Sequence, residues 1–194
     1  MSVLTDNIID FLKQNLSERR FVHTLGVRDC VVTLAEKYSQ DKSKAEIAAL
    51  LHDCCKETPH EILLAKADKY NIPMNDVFLV QPGLLHGFVG AFEAQNKFAI
   101  DDEDILNAVK YHSTARPGMS MLEKIVYIAD CIEPNRKKHS WMSALRNLAY
   151  CDIDEAVVFG INVSLSHLVE QNKLINPLSI DARNFLLKNL SCPK

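Results

Sequence analysis

The sequence predicts an all-α protein, a single helical bundle of about eight to ten helices spanning residues 1–194. Apolar residues recur at helical spacing in one segment after another, and no segment shows the strict alternation of a half-buried strand. Several segments open with Ser or Asp, which are preferred as helix N-caps. With 194 residues, 47% of them hydrophobic, the chain is long enough to bury one sizeable core.

The N-terminal part is predicted to contain two helices. Leu4, Ile8 and Leu12 lie on one side of a short amphipathic helix. Ser17 then opens a longer helix that continues to about residue 38, with His23 on its apolar side. The imidazole of His23 is therefore expected to point into the protein.

The next predicted helix carries polar residues that are expected to lie at the centre of the molecule. Ser43 and, three residues later, Glu46 form the pattern of a capping box, which marks a helix start. His52 and Asp53 lie seven and eight positions after Ala45, so both continue an inward stripe of alanines. A buried carboxylate beside a buried imidazole needs partners, because desolvating a bare charge is costly. A metal ion is one such partner, and a His–Asp pair that caps its own helix is the alternative.

Two further helices each carry a histidine on the inward side. After one more helix comes a loop-rich stretch over 72–83, where two prolines and a glycine allow at most one helical turn. Helices are then predicted over 84–96 and from Asp101 onwards. His86 lies on the first of them, and His112 ends the apolar stripe of the second.

The C-terminal part is predicted to contain three helices. Ser120 and Glu123 form a second capping box, and the helix that they open brings Asp130 to its end. A long amphipathic helix over 152–174 and a last helix over 177–190 follow.

A basic group lies in the loop over 132–140. It consists of Arg136, Lys137 and Lys138. A solvated surface turn and a phosphate-capturing loop are both consistent with it.

The composition excludes several classes of function. The net charge is −3, with 22 basic and 25 acidic residues spread along the chain, so no general nucleic-acid-binding surface is expected. The N-terminus has no basic start before an apolar run, and no stretch reaches the ~18 apolar residues of a membrane span. Six cysteines without a C-x-x-C pair suit a reducing compartment. A cytoplasmic protein without a membrane partner is predicted.

Six residues on five predicted helices share the inward faces, often close to a helix end. They are His23, His52, Asp53, His86, His112 and Asp130. Four imidazoles and two carboxylates form a mixed nitrogen and oxygen donor set, which suits iron, manganese or magnesium better than a structural zinc cage. An ionic core of His and Asp pairs without metal is the alternative.

The order H…HD…H…H…D resembles the HD superfamily of metal-dependent phosphohydrolases. More narrowly, the chain is similar to the YqeK family over nearly its whole length, from about residue 19 to residue 190. The segments that carry this similarity are 20–27 (RFVHTLGV), 51–56 (LHDCCK), 84–91 (LLHGFVGA), 111–120 (YHSTARPGMS), 122–130 (LEKIVYIAD) and 132–136 (IEPNR).

The resemblance implies an HD-domain fold that holds two divalent metal ions, with iron as the first candidate and manganese or magnesium as the others. It also implies symmetric hydrolysis of diadenosine tetraphosphate to two ADP. His23, His52 and Asp130 are then expected to bind one ion and His86 and His112 the other. Asp53 is expected to bridge the two ions, with hydroxide held between them as the nucleophile.

Further residues are expected to act on the phosphates. Lys56 and Arg116 are candidates for neutralising charge on the non-bridging oxygens. Lys56 lies one turn beyond His52, and a solvated lysine at a helix end is its other interpretation. Weaker candidates for substrate binding are Arg20, Thr24 and Arg136.

One position departs from the family pattern. The YqeK family usually has glycine immediately before the arginine that corresponds to Arg116, whereas this chain has Ala115. Alanine adopts positive φ less readily than glycine. The departure therefore concerns the conformation of the loop before Arg116 and not the metal ligands.

Two other functions stay open at this point. A nucleotidase or phosphatase acting on mononucleotides or deoxynucleotides would use the same metal centre. A non-catalytic nucleotide sensor would bind in the same pocket without turnover. A homodimer is a further possibility, because the long helix over 152–174 and Trp141 could pack within the chain or across an interface.

Overall fold

The computed structural model describes residues 3–136 and 139–190, and in this part of the chain every regular element is helical, as predicted. Ten of its eleven α-helices have seven or more residues, close to the expected eight to ten. The elements are α1 (Val3–Asn15), α2 (Glu18–Lys37), α3 (Lys42–Leu51), α4 (His60–Lys69), α5 (Asp76–Val80), a 3-10 turn (Pro82–Leu84), α6 (Leu85–Phe98), α7 (Glu103–Tyr111), α8 (Met121–Ile132), α9 (Met142–Cys151), α10 (Ile153–Glu170) and α11 (Pro177–Leu190).

Five helices form the centre of the bundle. Helix α2 packs against α3 and α8, while α7 packs against α3, α6 and α8. The central side chains are large and fully buried, among them Leu34, Leu50, Leu51, Ile125 and Ile128. The buried apolar side chains form one connected cluster to which helices from α1 to α11 contribute. The polar residues predicted for the site lie on these same central helices or directly after them.

Helices α6 and α7 approach each other closely at Gly87. A Cβ atom at this position would lie 2.8 Å from the carbonyl oxygen of Lys110 and 3.3 Å from Cε1 of His112. Any larger residue would therefore push α7 away from α6. The glycine lets His86 and His112 reach the same point.

The predicted capping box at Ser43 and Glu46 is wrong. Helix α3 begins at Lys42, and its N-cap is Asp41, whose carboxylate accepts hydrogen bonds from the backbone N–H groups of Ser43 and Lys44. Aspartate caps a helix at least as well as serine and adds a negative charge where the helix dipole is positive. The helix also ends earlier than predicted, at Leu51, so His52 is its C-cap.

The second predicted capping box is confirmed. The side chain of Ser120 accepts from the N–H of Glu123, and the carboxylate of Glu123 accepts from the N–H of Ser120. Helix α8 therefore starts where the sequence predicts, with Asp130 in its last turn.

Two features of the C-terminal part differ from the prediction. Helix α9 was not anticipated, and α10 ends at Glu170 rather than near residue 174. Asn172 has a φ of 51°, in the left-handed region, which explains the earlier end of α10. In the basic loop, Arg136 belongs to the described part of the chain, whereas Lys137 and Lys138 lie outside it. None of the described helices combines the length and apolar character that crossing a membrane requires.

Candidate metal centre

Helix ends bring most of the six predicted ligands together. His52 caps the C-terminus of α3, His112 caps that of α7, and His86 lies in the first turn of α6. His23 belongs to the first half of α2, and Asp130 to the last turn of α8. His52 and His86 are completely buried, and Asp53 is 2% exposed. Such buried polar groups require partners inside the protein.

The six side chains form two groups of three. His23, His52 and Asp130 form one group; Asp53, His86 and His112 form the other. Within each group the candidate ligand atoms all lie within 4.8 Å of one another. The structure thus brings together all six residues that the sequence singles out.

The carboxylate of Asp53 lies between the two groups. Its Oδ1 atom is 3.1 Å from Nε2 of His86 and 3.4 Å from Nε2 of His112. Its Oδ2 atom is 3.5 Å from Nε2 of His52 and 3.7 Å from Nε2 of His23. Each oxygen therefore faces a different group, which is the arrangement that a bridging carboxylate needs.

Hydrogen bonds at Nδ1 aim the Nε2 atoms of the imidazoles at the centre. Three rings bond backbone carbonyls, and because a carbonyl only accepts, Nδ1 must be the protonated nitrogen. The fourth ring, that of His23, contacts a carboxylate. The Nδ1 contacts are His52 with Ala49 O at 2.6 Å, His86 with Gly83 O at 2.5 Å, His112 with Val109 O at 2.7 Å and His23 with Glu133 Oε1 at 3.1 Å.

The residues present fit metal ions. The Nε2 atoms of His23 and His52 are buried and make no hydrogen bond within the described residues. In a tautomer with the proton on Nδ1, each of these atoms offers a lone pair, as metal binding requires. The buried carboxylate of Asp53 and the half-buried one of Asp130 complete a set of nitrogen and oxygen donors. These buried His and Asp groups could therefore bind metal.

Electrostatics also favour cations at this position. Burial raises the pKa of Asp53, but the surrounding imidazoles, His52 above all, outweigh burial and hold the pKa well below its ordinary value. Burial raises the pKa of Asp130 as well, but the adjacent imidazole of His23 and the charge of Arg136 outweigh burial and bring the pKa below its ordinary value. Burial lowers the pKa of His86 to about 4, so this imidazole is neutral at pH 7. Charged carboxylates beside a neutral imidazole suit a cation.

Three of the predicted phosphate-binding cations contact the centre. Nη1 of Arg20 donates to Oδ2 of Asp53 at 2.7 Å, and Nη2 of Arg136 donates to Oδ1 of Asp130 at 2.6 Å. Nζ of Lys56 lies 3.4 Å from Nε2 of His86. All three therefore lie next to the six ligands.

Arg116 is placed differently. Its guanidinium makes two hydrogen bonds, of 2.7 and 2.6 Å, to the carboxylate of Glu123, which is 1% exposed. It also lies over the ring of Tyr111. None of its hydrogen bonds within the described residues goes to one of the six ligands. The preceding Ala115 has a φ of 58°, so the loop adopts the left-handed conformation even without glycine.

Thr24 is completely buried, and its hydroxyl donates to the carbonyl of Arg20 at 3.0 Å. A threonine that bonds the preceding turn of its own helix does not offer that proton to a ligand. Thr24 therefore supports the turn of α2 that carries Arg20.

Two residues beside the ligands were not assigned from the sequence. Glu133, 1% exposed, contacts Nδ1 of His23 and accepts a hydrogen bond from the N–H of Asn135. Ser113 Oγ lies 3.1 Å from Nε2 of His112 and 3.3 Å from Nε2 of His86. A signal for Glu133 exists, because it follows Asp130 by three residues and so continues the same side of α8.

A cavity of about 680 Å³ adjoins the centre on the side of His23. Arg20 and Arg136 line it together with His23, and so do two aromatic residues, His139 and Trp141. The centre is thus buried on one side and borders a cavity of ligand size on the other.

Comparison with known families supports this site. The HD domain family model matches residues 20–135, which contain all six ligand candidates. The chain belongs to the HD domain family. Within it, this HD-domain chain falls in the YqeK family that its motifs resemble.

Several relatives extend the match over most of the chain. The HD-domain chain is 38% identical to the symmetrical bis(5'-nucleosyl)-tetraphosphatase of Bacillus subtilis, over 91% of this chain and 94% of that protein. It is 33% identical to the protein of the same name from Staphylococcus aureus, over 89% of each. A crystal structure from Clostridium acetobutylicum, described as a predicted HD superfamily hydrolase involved in NAD metabolism, matches with a TM-score of 0.92. That match has 39% identity and covers 95% of this chain and 97% of the other.

Proposed function

We propose that this HD-domain protein hydrolyses diadenosine tetraphosphate symmetrically to two ADP. The observation that carries the proposal is the position of Asp53, with one carboxylate oxygen toward each of the two ligand groups. A pair of adjacent cations is the usual device for displacement at phosphorus. The substrate follows from the similarity to the two tetraphosphatases.

The six ligand candidates divide naturally between two ions. His23, His52 and Asp130 would hold one, His86 and His112 would hold the other, and Asp53 would be shared. When bound, two divalent ions supply positive charge to the phosphate oxygens and lower the pKa of water enough for it to attack phosphorus.

The chain's own cations bind and orient the phosphates. Arg20 and Arg136 line the cavity beside His23, and Lys56 lies on the other side of the centre, next to His86. Each already contacts a ligand residue, so a polyphosphate that reaches the centre meets positive charge from both sides. These guanidinium and ammonium groups stabilise charge that increases on the phosphate oxygens during the reaction.

We assign Arg116 and Thr24 positioning functions instead of direct contacts. Arg116 holds Glu123, the partner of Ser120 in the capping box of α8, and α8 carries Asp130. Thr24 ties its hydroxyl to the turn that presents Arg20. Each therefore acts on a site residue, Asp130 or Arg20, through the backbone of a helix.

Iron is the metal that we propose first. Imidazoles outnumber carboxylates four to two among the ligand candidates, and imidazole suits iron better than magnesium, which prefers oxygen. Metal analysis of the purified protein, followed by reconstitution of the apoprotein with Fe²⁺, Mn²⁺ or Mg²⁺, tests this. Full activity with Mg²⁺ and none with Fe²⁺ would overturn the choice of iron.

Product analysis tests the activity itself. The metal-loaded protein is expected to convert diadenosine tetraphosphate to ADP alone, and Asp53→Ala is expected to abolish turnover while circular dichroism stays unchanged. AMP and ATP as products would contradict symmetric cleavage. Release of phosphate from mononucleotides, with the tetraphosphate left intact, would show a nucleotidase instead, and saturable binding without any product would show a sensor.

We also propose that the partner is a free nucleotide in the cytoplasm. The net charge of −3 argues against a nucleic-acid partner. Retention on heparin or co-purification with RNA would contradict this.

A further inference from the structure

The cavity beside the centre combines two kinds of lining. Arg20, Arg136 and His23 supply cationic and metal-ligating groups beside three glutamates, while His139 and Trp141 supply flat aromatic surface. A nucleotide has the same two parts, a charged phosphate chain and a flat base. The mechanism described so far uses only the charged part of the lining.

The two aromatic rings are stacked. The centroids of the His139 imidazole and the Trp141 indole are 5.2 Å apart, and their planes differ by 8°. Trp141 is partly buried and packs against the hydrophobic core, whereas His139 is exposed. The indole is therefore anchored in the protein, whereas the imidazole stacked on it is exposed.

We propose that Trp141 is the stacking platform for the base of one nucleoside of the substrate, in the position that the His139 imidazole now occupies. This inference rests on the proposed function, since it names the nucleoside subsite of the same centre. A planar nitrogen heterocycle already lies parallel to the indole, and a purine is a larger ring of the same kind. Because the purine covers more of the indole, exchange with the exposed imidazole is favourable.

Recognition through the face of a base has a consequence for specificity. Every nucleobase has a π face, so stacking accepts different bases. Ser17, which lines the same cavity, is already engaged, because its N–H and its hydroxyl both donate to the carboxylate of Glu57, at 2.6 and 2.7 Å. Adenine and guanine dinucleotides are therefore expected to bind with affinities within a few-fold of each other.

Trp141 is the only tryptophan of the chain, so its fluorescence reports the contact directly. Titration of the metal-loaded wild-type protein with ADP is expected to quench tryptophan emission in a saturable way. Inorganic phosphate, which shares the charge but lacks the base, is expected to leave emission unchanged. Equal quenching by phosphate, or none by ADP, would overturn the proposal.

Kinetics provide the second readout. Trp141→Ala is expected to raise KM for diadenosine tetraphosphate about 5- to 100-fold with little change in kcat, and Trp141→Phe to recover most of the loss. His139→Ala uncovers the indole, so its KM is expected to fall or to stay within about twofold. Phe185→Ala, which removes an aromatic ring exposed on α11, serves as the matched control and is expected to behave as wild type.

The proposed base subsite and the proposed activity can be contradicted independently of each other. Saturable quenching by ADP in a protein that does not cleave the tetraphosphate would keep the subsite and remove the proposed activity. Symmetric cleavage with an unchanged KM in a folded Trp141→Ala variant would keep the activity and remove the subsite. A KM in His139→Ala that exceeds the wild-type value by clearly more than about twofold would overturn the exchange of rings.

Discussion

The two ligand groups of the centre are held in different ways. In the closed group, Asp53, His86 and His112, both imidazoles are tied by Nδ1 to backbone carbonyls and no more than 3% of any residue is exposed. In the open group, His23, His52 and Asp130, two ligands are tied by other side chains. Glu133 contacts His23, Arg136 contacts Asp130, and His23 borders the cavity.

The closed group is therefore the rigid part of the centre, and the open group is the adjustable part. A backbone carbonyl cannot be altered by substitution, so the closed group depends only on its own ligands and on helix packing. The open group also depends on the side chains of Glu133 and Arg136, whose charge and length can be changed by substitution. Because it also borders the cavity, its contacts are the ones that a phosphate would rearrange.

Removing one ligand from each group should have the largest effect. His112→Ala and Asp130→Ala are each expected to lose about one of two bound ions and to lower kcat/KM about 10³-fold or more, because displacement at phosphorus needs both. Metal content by mass spectrometry and steady-state rates check this. His167→Ala, on the exposed side of α10, is the control and should keep both ions. Wild-type metal content in either variant would contradict the division into two groups.

Glu133→Gln should have the next largest effect. Loss of the carboxylate at Nδ1 of His23 is expected to weaken the binding of one ion about 10- to 100-fold and to leave the other unchanged. Ser113→Ala, beside the closed group, should change either affinity by less than about threefold, since the carbonyl contacts remain. Metal titration of the apoprotein measures both. Equal weakening of the two ions in Glu133→Gln would show that the groups are not independent.

Arg116→Ala distinguishes a positioning residue from a catalytic one. It leaves the buried carboxylate of Glu123 without its main partner, so the free energy of unfolding is expected to fall by about 1–3 kcal/mol. Below the melting temperature, kcat/KM should remain within about threefold of wild type. Arg183→Ala, at a partly exposed arginine of α11 bonded to Asn162, is the control and should alter neither quantity. A normal melting temperature of Arg116→Ala together with a large loss of kcat would show that Arg116 acts directly in catalysis.

The smallest effect is expected at Glu93, a carboxylate outside the centre that bonds Lys66 at 2.7 Å and Tyr70 at 2.9 Å. Burial raises the pKa of Glu93, but these hydrogen bonds outweigh it, so the net pKa lies below its ordinary value of 4.5. The stabilisation is therefore present above pH 4.5 and lost as the pH falls further.

Urea unfolding of Glu93→Gln measures this contribution. The variant should be less stable than wild type by about 1 kcal/mol at pH 7, because the ion pair is partly exposed. The difference should shrink as the pH falls below the ordinary pKa of glutamate. A difference that grows in acid would show that the sign of the pKa shift is wrong.

The sequence was most informative about the ligands because they follow helical periodicity. His52, His86 and His112 could be placed on inward stripes, and the interior of a bundle is where those stripes meet. The second capping box could be recognised because Ser120 and Glu123 have no competing cap nearby. At α3, two candidate caps lie two residues apart, and local sequence does not decide between Asp41 and Ser43.

Pairings between distant side chains could not be predicted. An arginine near a phosphate site and an arginine that satisfies a buried carboxylate look alike in sequence, and Arg116 is of the second kind in this structure. The same limit applies to Glu133, whose contact with His23 spans 110 positions of the chain. Such contacts depend on the relative placement of whole helices.

The carbonyls that hold His52 and His112 belong to Ala49 and Val109, in the final turns of α3 and α7. The last carbonyl oxygens of a helix have no N–H partner in a following turn. By donating to such an oxygen, each ring stabilises the end of its own helix. Ion release would free the rings to rotate and let both ends fray. Removing metal with a chelator should therefore destabilise these two helix ends locally. Amide hydrogen exchange in the two turns should become faster before the global stability of the protein changes.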